Sequence, residues 1–179
     1  TLWDQGLKEI LVDLKSSGKI IKIGISVYSP EKAVWAVQLP QVDILQVPTN
    51  VLDRRFMDAG VFQMAQNLKK EIYVRSIFLQ GLLLMGVENI PAKMMFAKSV
   101  VQDFVKLCRT HQISCQHLAI GYLRTRVPQA YLLFGVERTE QIQDSVKGLE
   151  ADIPESLCRD VENLFHNVEE KILNPSLWS

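Results

Sequence analysis

The chain has 179 residues, and its 20 lysine and arginine side chains balance its 20 aspartate and glutamate side chains. Hydrophobic residue types make up 47% of the sequence, which is typical of a globular protein, and the lack of excess charge argues against electrostatic binding to nucleic acid or to an anionic membrane. The length fits one domain and is well short of the roughly 250 residues typical of a (β/α)8 barrel.

The sequence carries no recognisable signal for export or membrane insertion. No apolar run reaches the length of a membrane span, and the first residues lack the basic and apolar regions of a signal peptide. Three cysteines, Cys108, Cys115 and Cys158, cannot all pair within the chain, so disulfides are not expected and we predict a cytoplasmic location. A helical pattern that begins almost at once, with no starting Met, predicts a fragment or a processed product.

The first third of the chain predicts a helix, a strand and a second helix. Apolar residues recur at helical spacing over 7–17. The β-branched run 20–27 is too short for a buried helix and predicts a strand. Ser29 then suits an N-cap and Pro30 suits the first position of a helix over 30–38.

The same alternation continues to the end of the chain. The remaining predicted elements are strands at 42–47, 72–78 and 131–136 and helices at 58–69, 93–110, 115–125, 140–148 and 155–170. Thr139 is predicted to cap helix 140–148, and Leu164 is predicted to face inward. Four mostly apolar strands separated by helices predict an α/β fold, with a parallel sheet covered by helices, in a single unit over 1–179.

Polar residues follow the predicted strands at their carboxyl ends, where parallel α/β proteins bind ligands. They are Ser26, Gln46, Arg75, Ser76, Glu137 and Arg138. Hydroxyls and amides orient an amide ligand, and backbone N–H groups at a helix N-terminus bind phosphate. The alternative is that strand ends are polar because they lie near solvent, and the pattern alone favours this interpretation, since there is no glycine-rich phosphate fingerprint.

Other clusters predict no chemistry of their own. Cys108, His111, Cys115 and His117 lie within ten residues, but no pair has the close spacing of a structural zinc site, so helix-end and surface positions are favoured and no metal is expected. The run 53–55, Asp-Arg-Arg, is predicted to form loop salt bridges or caps.

Four segments resemble the carboxyl-terminal half of aldo-keto reductases in order and spacing. They are residues 18–31, 45–55, 74–83 and 135–142, within a resemblance that runs from about residue 7 to 150. The family is a (β/α)8 barrel that reduces carbonyls to alcohols with NADPH. The resemblance therefore implies half of a TIM barrel, in which the four strands correspond to the fifth to eighth of eight, and an oxidoreductase function.

The resemblance implies where the nicotinamide of NADP(H) would bind. Ser26 and Gln46 match the Ser and Gln that hold its carboxamide, whereas Val27 replaces an Asn that makes a further contact.

Ser76 matches a Ser that meets the pyrophosphate. Arg75 stands where the family has a Tyr that stacks on the nicotinamide, so stacking would fall to Arg75 or Phe78.

The segment after the fourth strand corresponds to the region that binds the adenosine part of the cofactor. It contains Gly135, Val136, Glu137 and Arg138, with Gln141, Asp144 and Ser145 on the following helix. Gln141 stands where an Arg often clamps the 2′-phosphate, and Ser145 where an Asn commonly touches adenine. Arg138 offers a cation, but the preference for NADP over NAD is weakened.

The resemblance also implies an absence. The catalytic Asp, Tyr, Lys and His of the family come from earlier strands, and none of Tyr28, Tyr73, Tyr122 and Tyr131 matches that motif. No catalytic residue is assigned here, and the chain alone is expected to be inactive. The alternative is a non-catalytic half-barrel that assembles as a homo-oligomer, or acts as an interaction module, through its open sheet.

Overall fold

A computed structural model describes residues 2–178 of the chain. Its four strands lie parallel in one sheet, and each strand neighbours the next strand along the chain, in the order β1-β2-β3-β4. They are β1 (Gly24–Ser26), β2 (Ile44–Pro48), β3 (Glu71–Arg75) and β4 (Tyr131–Leu132). The predicted α/β fold with four parallel strands and flanking helices is confirmed.

The helices occupy the connections between the strands and the long carboxyl-terminal part of the chain. They are α1 (Leu7–Ser16), α2 (Pro30–Gln38), α3 (Arg55–Asp58), α4 (Val61–Asn67), α5 (Lys98–Thr110), α6 (Cys115–Arg126), α7 (Thr139–Glu150), α8 (Glu155–Leu164) and α9 (Glu170–Leu173). Short 3₁₀ turns lie at Leu2–Gln5, Leu82–Leu84, Val87–Asn89, Ala92–Ala97 and Pro175–Leu177. No helix within residues 2–178 is both long enough and apolar enough to cross a bilayer.

The chain divides into two compact units. The first comprises Thr1–Pro48, Arg55–Val74 and Gln129–Tyr131, and the second comprises Thr49–Arg54, Arg75–Pro128 and Leu132–Ser179. That residues 1–179 form a single structural domain stays a prediction.

Strand alternation builds the core of the first unit. Leu45 and Val47 of β2 and Ile72 and Val74 of β3 are buried, while the residues between them on each strand are only half-buried. This is the period-two pattern of a sheet covered on one face. Helix α2 packs against both β2 and α4, so the covered face is the helical one. The opposite face of the sheet carries the half-buried side chains of Gln46 and Tyr73.

Close packing of α6 against α7 organises the second unit. Gly148 of α7 lies directly against α6, because a Cβ at that position would come within 2.9 Å of Ile120 Cδ1 and 3.2 Å of Ile120 Cβ. Ser145, one helical turn earlier, is fully buried on the same face. Two small residues therefore let the two helices approach closely and fix the position of α7.

The predicted helix over 58–69 is wrong in one respect, because two helices replace it. Helix α3 ends at Asp58, and α4 begins at Val61 after Gly60, whose φ is +70°. A residue in the left-handed region cannot continue an α-helix, and glycine occupies that region without steric cost.

Three predictions near the carboxyl terminus are wrong in detail. The strand predicted over 131–136 ends at Leu132, and the helix predicted over 155–170 ends at Leu164, whose side chain is 44% exposed rather than inward-facing. Thr139 is the first residue of α7 and not its cap, since Arg138 holds the N-cap position. The Ser29 cap of α2 is confirmed, with its Oγ accepting from the Lys32 N–H.

Candidate functional site

Ser26 and Gln46 form a hydrogen-bonded pair in the first unit. β1 and β2 are parallel with Ser26 opposite Gln46, and the Ser26 hydroxyl donates to Gln46 Oε1 over 3.0 Å. The neighbouring Val27 N–H donates to the Gln46 carbonyl oxygen over 3.0 Å, while the Val27 side chain is buried. The hydrogen bond from Ser26 orients the Gln46 carboxamide so that its amide hydrogens can donate to a ligand.

A second polar pair follows β3, in the second unit. The Arg75 guanidinium donates to Ser76 Oγ over 3.1 Å, and Ser76 adopts a left-handed φ of +60°. A non-glycine residue in that region is uncommon and needs support from its surroundings. Asn50 supplies it, because its side-chain amide donates to the Ser76 carbonyl oxygen over 3.1 Å.

Asn50 is a scaffold residue that the sequence analysis did not single out. It is 1% exposed, and its Oδ1 accepts from the backbone N–H groups of Leu52 and Asp53 at 2.9 and 3.1 Å. Asp53, which was predicted to form a loop salt bridge or cap, is fully buried and pairs with Asn50 through backbone hydrogen bonds. The available signal was the spacing, since an Asn that bonds to amides two and three residues ahead defines an Asx turn.

A cavity of about 650 Å³ lies within the second unit. Its lining residues come from the segment after β3 and the segment after β4: Ser76, Ile77, Phe78, Gln80, Gly81, Leu84, Leu133, Phe134, Gly135, Val136, Glu137 and Gln141. Phe78 and Phe134 contribute an aromatic wall, with ring centroids 6.0 Å apart and planes inclined at 54°. The structure thus brings four predicted cofactor residues, Ser76, Gly135, Val136 and Gln141, to one cavity.

The wall of this cavity includes unusual backbone. Leu79 and Gln80 have φ values of +47° and +53°, although neither is a glycine. Leu79 is fully buried, so packing of its side chain holds the turn in place, while Gln80 is exposed beside the cavity. Such conformations cost about 1–2 kcal/mol per residue and persist where surrounding contacts maintain them.

Gln141 organises the mouth of the cavity at the N-terminus of α7. Its Oε1 accepts from the backbone N–H groups of Glu137 and Arg138 at 2.7 and 3.2 Å, and its own N–H donates to the Arg138 carbonyl oxygen. All residues from Gly135 to Glu140 are exposed. A ligand can therefore reach this loop and the positive end of the α7 dipole.

Asp144 and Ser145 turn toward α6. Asp144 Oδ1 lies 3.2 Å from His117 Nε2, and Ser145 Oγ donates to the Gln141 carbonyl oxygen over 2.7 Å. The Gln116 side-chain amide donates to Ser145 Oγ over 3.0 Å. Both side chains hold α7 on α6 in this conformation, and their predicted contact with the adenine part of a cofactor stays a prediction.

A tyrosine and lysine cluster lies at the opposite ends of the strands in the first unit. Tyr73 and Tyr131 stack with ring centroids 4.8 Å apart, and Lys22 pairs with Glu71, whose hydrogen bond raises the pKa of the lysine. Glu71 and Tyr131 are the first residues of β3 and β4. Parallel α/β folds bind substrates at the carboxyl ends of their strands, so this cluster is placed for stability and not for catalysis.

Tyr122 is also unsuited to proton donation. Its side chain is fully buried on α6, and its hydroxyl donates to Glu162 Oε1 over 3.3 Å. Burial and the nearby Glu162 carboxylate raise the pKa of Tyr122. A general acid needs a pKa closer to neutrality.

The cysteine and histidine cluster around the α5–α6 turn assembles no metal site. His117 pairs with Asp144, and His111 Nε2 lies 3.4 Å from Asp160. Across residues 2–178, no group of three His, Cys, Asp or Glu side chains is arranged to hold a metal ion.

Comparison with known families identifies the family of the chain. The sequence profile of the Aldo/keto reductase family matches residues 6–164, which is most of the chain. The chain belongs to the aldo/keto reductase family. The predicted family membership is confirmed, and a search of the curated proteins found no match.

Solved aldo-keto reductases share the fold. AKR11C1 from Bacillus halodurans matches at a TM-score of 0.66 and 21% identity in both its apo and holo forms, covering 93% of this chain and 59% and 58% of those chains. The thermostable aldo-keto reductase Tm1743, in complex with the inhibitor epalrestat, matches at a TM-score of 0.62 and 17% identity, covering 86% of this chain and 52% of that one. This aldo/keto reductase chain thus spans a little over half the length of the barrels that it matches.

The donor groups around the cavity suit the cofactor that this family generally binds, NADP(H). Ser76 offers a hydroxyl, α7 offers backbone N–H groups, and Arg138 offers a cation, all of which recognise phosphate oxygens. Phe78 provides a face on which a heterocycle stacks. Glu137 also lines the cavity, and its carboxylate carries a charge of the same sign as a phosphate group.

Proposed function

We propose that this aldo/keto reductase chain is the NADP(H)-binding half of an oxidoreductase that reduces carbonyls to alcohols. The observation that carries the proposal is the cavity of the second unit, where residues separated by about sixty positions in the sequence converge. Ser76, Gly135, Val136 and Gln141 all line it, and each stands at a position that the family pattern assigns to the cofactor. Family membership supports the oxidoreductase class.

The cavity would hold the pyrophosphate and adenosine parts of the dinucleotide. Ser76 would donate its hydroxyl proton to a phosphate oxygen, helped by Arg75, which donates to Ser76 Oγ and so strengthens the donor. Arg138, exposed at the N-terminus of α7, would pair with a phosphate anion. Gln141 would keep the Glu137–Arg138 turn in the conformation that exposes the helix terminus.

The Ser26–Gln46 pair would hold the nicotinamide carboxamide. Gln46 would donate from its side-chain amide, while Ser26 fixes the orientation of that amide. Val27 is buried and supplies no polar atom to the ligand, so this recognition would rest on two side chains. When bound, the reduced nicotinamide supplies a hydride to the carbonyl carbon of the substrate.

The proton for the carbonyl oxygen would come from outside the described residues. Tyr122 is buried with a raised pKa, and Tyr73 and Tyr131 stack on each other at the amino ends of the strands. We therefore propose that the Asp, Tyr, Lys and His tetrad of the family is not contained in this chain. Coding DNA upstream of Thr1 tests this point, since the proposal expects an in-frame extension that carries those four residues at strand ends.

Titration of the purified chain with NADPH, followed by nicotinamide fluorescence, tests cofactor binding. The proposal predicts a saturable change, with no consumption of NADPH when aldehydes or ketones are added. No fluorescence change at millimolar cofactor would overturn the binding proposal. Sustained NADPH oxidation by the chain alone, with equimolar alcohol formed, would overturn the proposal that the tetrad is absent.

A second candidate is a non-catalytic half-barrel that assembles as a homo-oligomer through exposed apolar surface. The first unit favours it, because Ile10 and Ile21 are 58% and 85% exposed and no residue of α1 is buried. Exposed apolar side chains of this density promote association. Light scattering at micromolar concentration is expected to show a dimer or larger assembly, whereas a stable monomer would contradict it. An oligomer that does not bind NADPH would favour this second candidate over the first.

A further inference from the structure

A second cavity of the second unit, called the α5 cavity below, lies between α5 and the turn at residues 86–88. Its volume is about 370 Å³, within the range of roughly 300–1,000 Å³ that is typical of small-molecule sites. Residues 86–88 form one wall, and α5 forms the other through Gln102, Val105, Lys106 and Arg109. None of these residues lines the proposed cofactor cavity.

The wall made by α5 is a single face of that helix. Positions 102, 105, 106 and 109 follow the spacing i, i+3, i+4 and i+7, which places their side chains on one side of an α-helix. The buried residues of α5 are different ones, Val101, Phe104 and Cys108. The cavity face therefore makes no part of the core of the unit.

The opposite wall is a turn held by its own backbone. The Asn89 N–H donates to the Gly86 carbonyl oxygen over 2.8 Å, and Ile90, which follows, is buried. Gly86 leaves room for the Glu88 side chain, because a Cβ on Gly86 would lie 2.8 Å from Glu88 Cδ. The Glu88 carboxylate thus lies against the backbone of its own turn.

Positive charge is in excess in the α5 cavity. Lys106 and Arg109 supply two cations one helical turn apart, and Glu88 supplies one carboxylate, so the lining has a net charge of one positive. Among residues 2–178, no carboxylate, that of Glu88 included, lies within 4.0 Å of the Lys106 ammonium or the Arg109 guanidinium. Both cationic side chains are exposed, so a solute can reach them. Like charges at this spacing repel each other, and a bound anion would offset that repulsion.

We propose that the α5 cavity binds a small organic monoanion, a carboxylate attached to an apolar body. The planar Arg109 guanidinium matches a carboxylate in shape and can donate two parallel hydrogen bonds to it. The Lys106 ammonium would add a positive charge beside it, and Val87 and Val105 would contact the apolar body. The site goes beyond the proposed cofactor function and does not depend on it.

The composition of the lining favours such a ligand over an inorganic ion. The two valines stabilise apolar surface that an inorganic ion does not have. One carboxylate on the ligand would bring the net charge of the site to zero, whereas a dianion would leave an excess of negative charge near Glu88.

Benzoate is the probe for this site, and benzamide is its neutral counterpart of nearly the same shape. In heteronuclear NMR of the isotope-labelled chain, we expect benzoate to give saturable shifts in the amides of 86–89 and 102–109. Benzamide should bind about tenfold more weakly, because it lacks the charge that pairs with the two cations. No saturable shift in these segments at about 50 mM benzoate, or equal binding of benzamide, would overturn the proposal.

The same titration with saturating NADPH distinguishes the α5 cavity from the proposed cofactor cavity. We expect benzoate to shift the amides of 102–109 equally with and without NADPH. Benzoate shifts that are confined to 76–81 and 135–141 and disappear with NADPH would overturn the assignment to the α5 cavity. Benzoate binding to 86–89 and 102–109 in a chain that does not bind NADPH would support the α5 site and contradict only the cofactor proposal.

Three variants test the roles of the cations. Affinity for benzoate should fall about tenfold in Arg109→Gln and about threefold in Lys106→Gln. Arg124→Gln removes an exposed cation of α6 that does not line the cavity, and it should leave the affinity unchanged. Circular dichroism checks that each variant folds.

Urea denaturation of Arg109→Gln separates ligand binding from helix stability. Arg109 lies in the last turn of α5, where the helix dipole favours a cation. Lower stability with unchanged benzoate affinity in both Arg109→Gln and Lys106→Gln would show that the cations serve only the helix, and would overturn the proposal.

Discussion

The Ser26–Gln46 pair and the cavity differ in how they are built. The Ser26–Gln46 pair of the first unit is one hydrogen bond between neighbouring strands, with Ser26 exposed and little around it. The cavity of the second unit depends on Asn50, a left-handed Ser76 and a capped α7. Regular strand pairing is enough to create the first feature, whereas the second requires buried polar contacts between segments distant in sequence.

The two regions differ in whether the residues that would bind a ligand are also the residues that stabilise the local structure. At the Ser26–Gln46 pair the side chains that would meet a ligand are exposed or half-buried and are joined by one hydrogen bond, so replacing one should change binding with little effect on folding. At the cavity, Asn50 is buried and does not line the wall, yet it fixes the conformation of Ser76, which does. Variants in the two regions should therefore divide their effects differently between stability and affinity.

The largest effect is expected from Asn50→Ala. The substitution removes the group that accepts from the Leu52 and Asp53 amides and donates to the Ser76 carbonyl, leaving buried backbone groups without that partner. We expect the free energy of unfolding to fall by about 3 kcal/mol. Urea denaturation measures it, with the exposed Asn89→Ala as control, and a loss as small as that of the control would contradict the scaffold role.

Charge at the mouth of the cavity is tested next by Gln141→Glu. A glutamate keeps a side-chain oxygen that can accept from the Glu137 and Arg138 N–H groups. It adds a negative charge where a phosphate would bind. We expect NADPH affinity to fall about tenfold, equivalent to about 1.4 kcal/mol. Gln143→Glu, on the exposed face of the same helix, adds the same charge and should change affinity much less. Equal losses in the two variants would place the ligand elsewhere.

The stability of the first unit is expected to depend on pH through Asp43. Burial acts to raise the pKa of Asp43, but hydrogen bonds from Lys15 at 2.5 and 2.7 Å and from the Ile23 N–H at 2.8 Å outweigh it and lower the pKa. A lowered folded-state pKa contributes stability above the unfolded value of about 3.9, and that stability is lost as the pH falls through the folded value.

Asp43→Asn isolates this contribution. The variant should lose about 1 kcal/mol of stability at neutral pH, and its unfolding free energy should decline less steeply than that of the parent chain as the pH falls below about 4. Urea denaturation at several pH values provides the comparison. Parallel pH profiles for the two proteins would show that the Lys15–Asp43 contact does not hold α1 in place in solution.

The smallest effect is expected from Ser26→Ala. Ser26 is exposed, so the change in unfolding free energy should stay below about 0.5 kcal/mol. Loss of the hydrogen bond that orients Gln46 should weaken NADPH binding about threefold. The corresponding change in binding free energy is smaller than the typical contribution of one hydrogen bond. Ser16→Ala, another exposed serine, serves as the control. A fall in stability without a change in affinity would reverse the contrast drawn between the two regions.

Strand order and the Ser26–Gln46 pair were accessible from sequence because they follow local rules. β-branched runs separated by helical periods predict parallel neighbours, and parallel register then places equivalent strand-end residues side by side. Helix α2 was equally readable, since the Ser29 cap and Pro30 mark its start without help from the rest of the molecule.

Features that depend on tertiary contacts could not be predicted from the sequence. The strand predicted over 131–136 stops at Leu132, which frees the chain to form the cavity wall, and nothing in its apolar run distinguishes the paired residues from the unpaired ones. Ser145 and Gly148 were a partial signal, because small residues at helical spacing predict a closely packed helix face. The role of Asn50 depends on Ser76, twenty-six residues away.

Hydrogen–deuterium exchange with and without saturating NADPH tests the central claim, that the second unit carries the cofactor cavity, most directly. The account predicts slower exchange in the amides of two segments, 76–81 and 135–141, with little change in α8. Protection confined to other segments, or none in these two under conditions where binding is complete, would contradict the assignment.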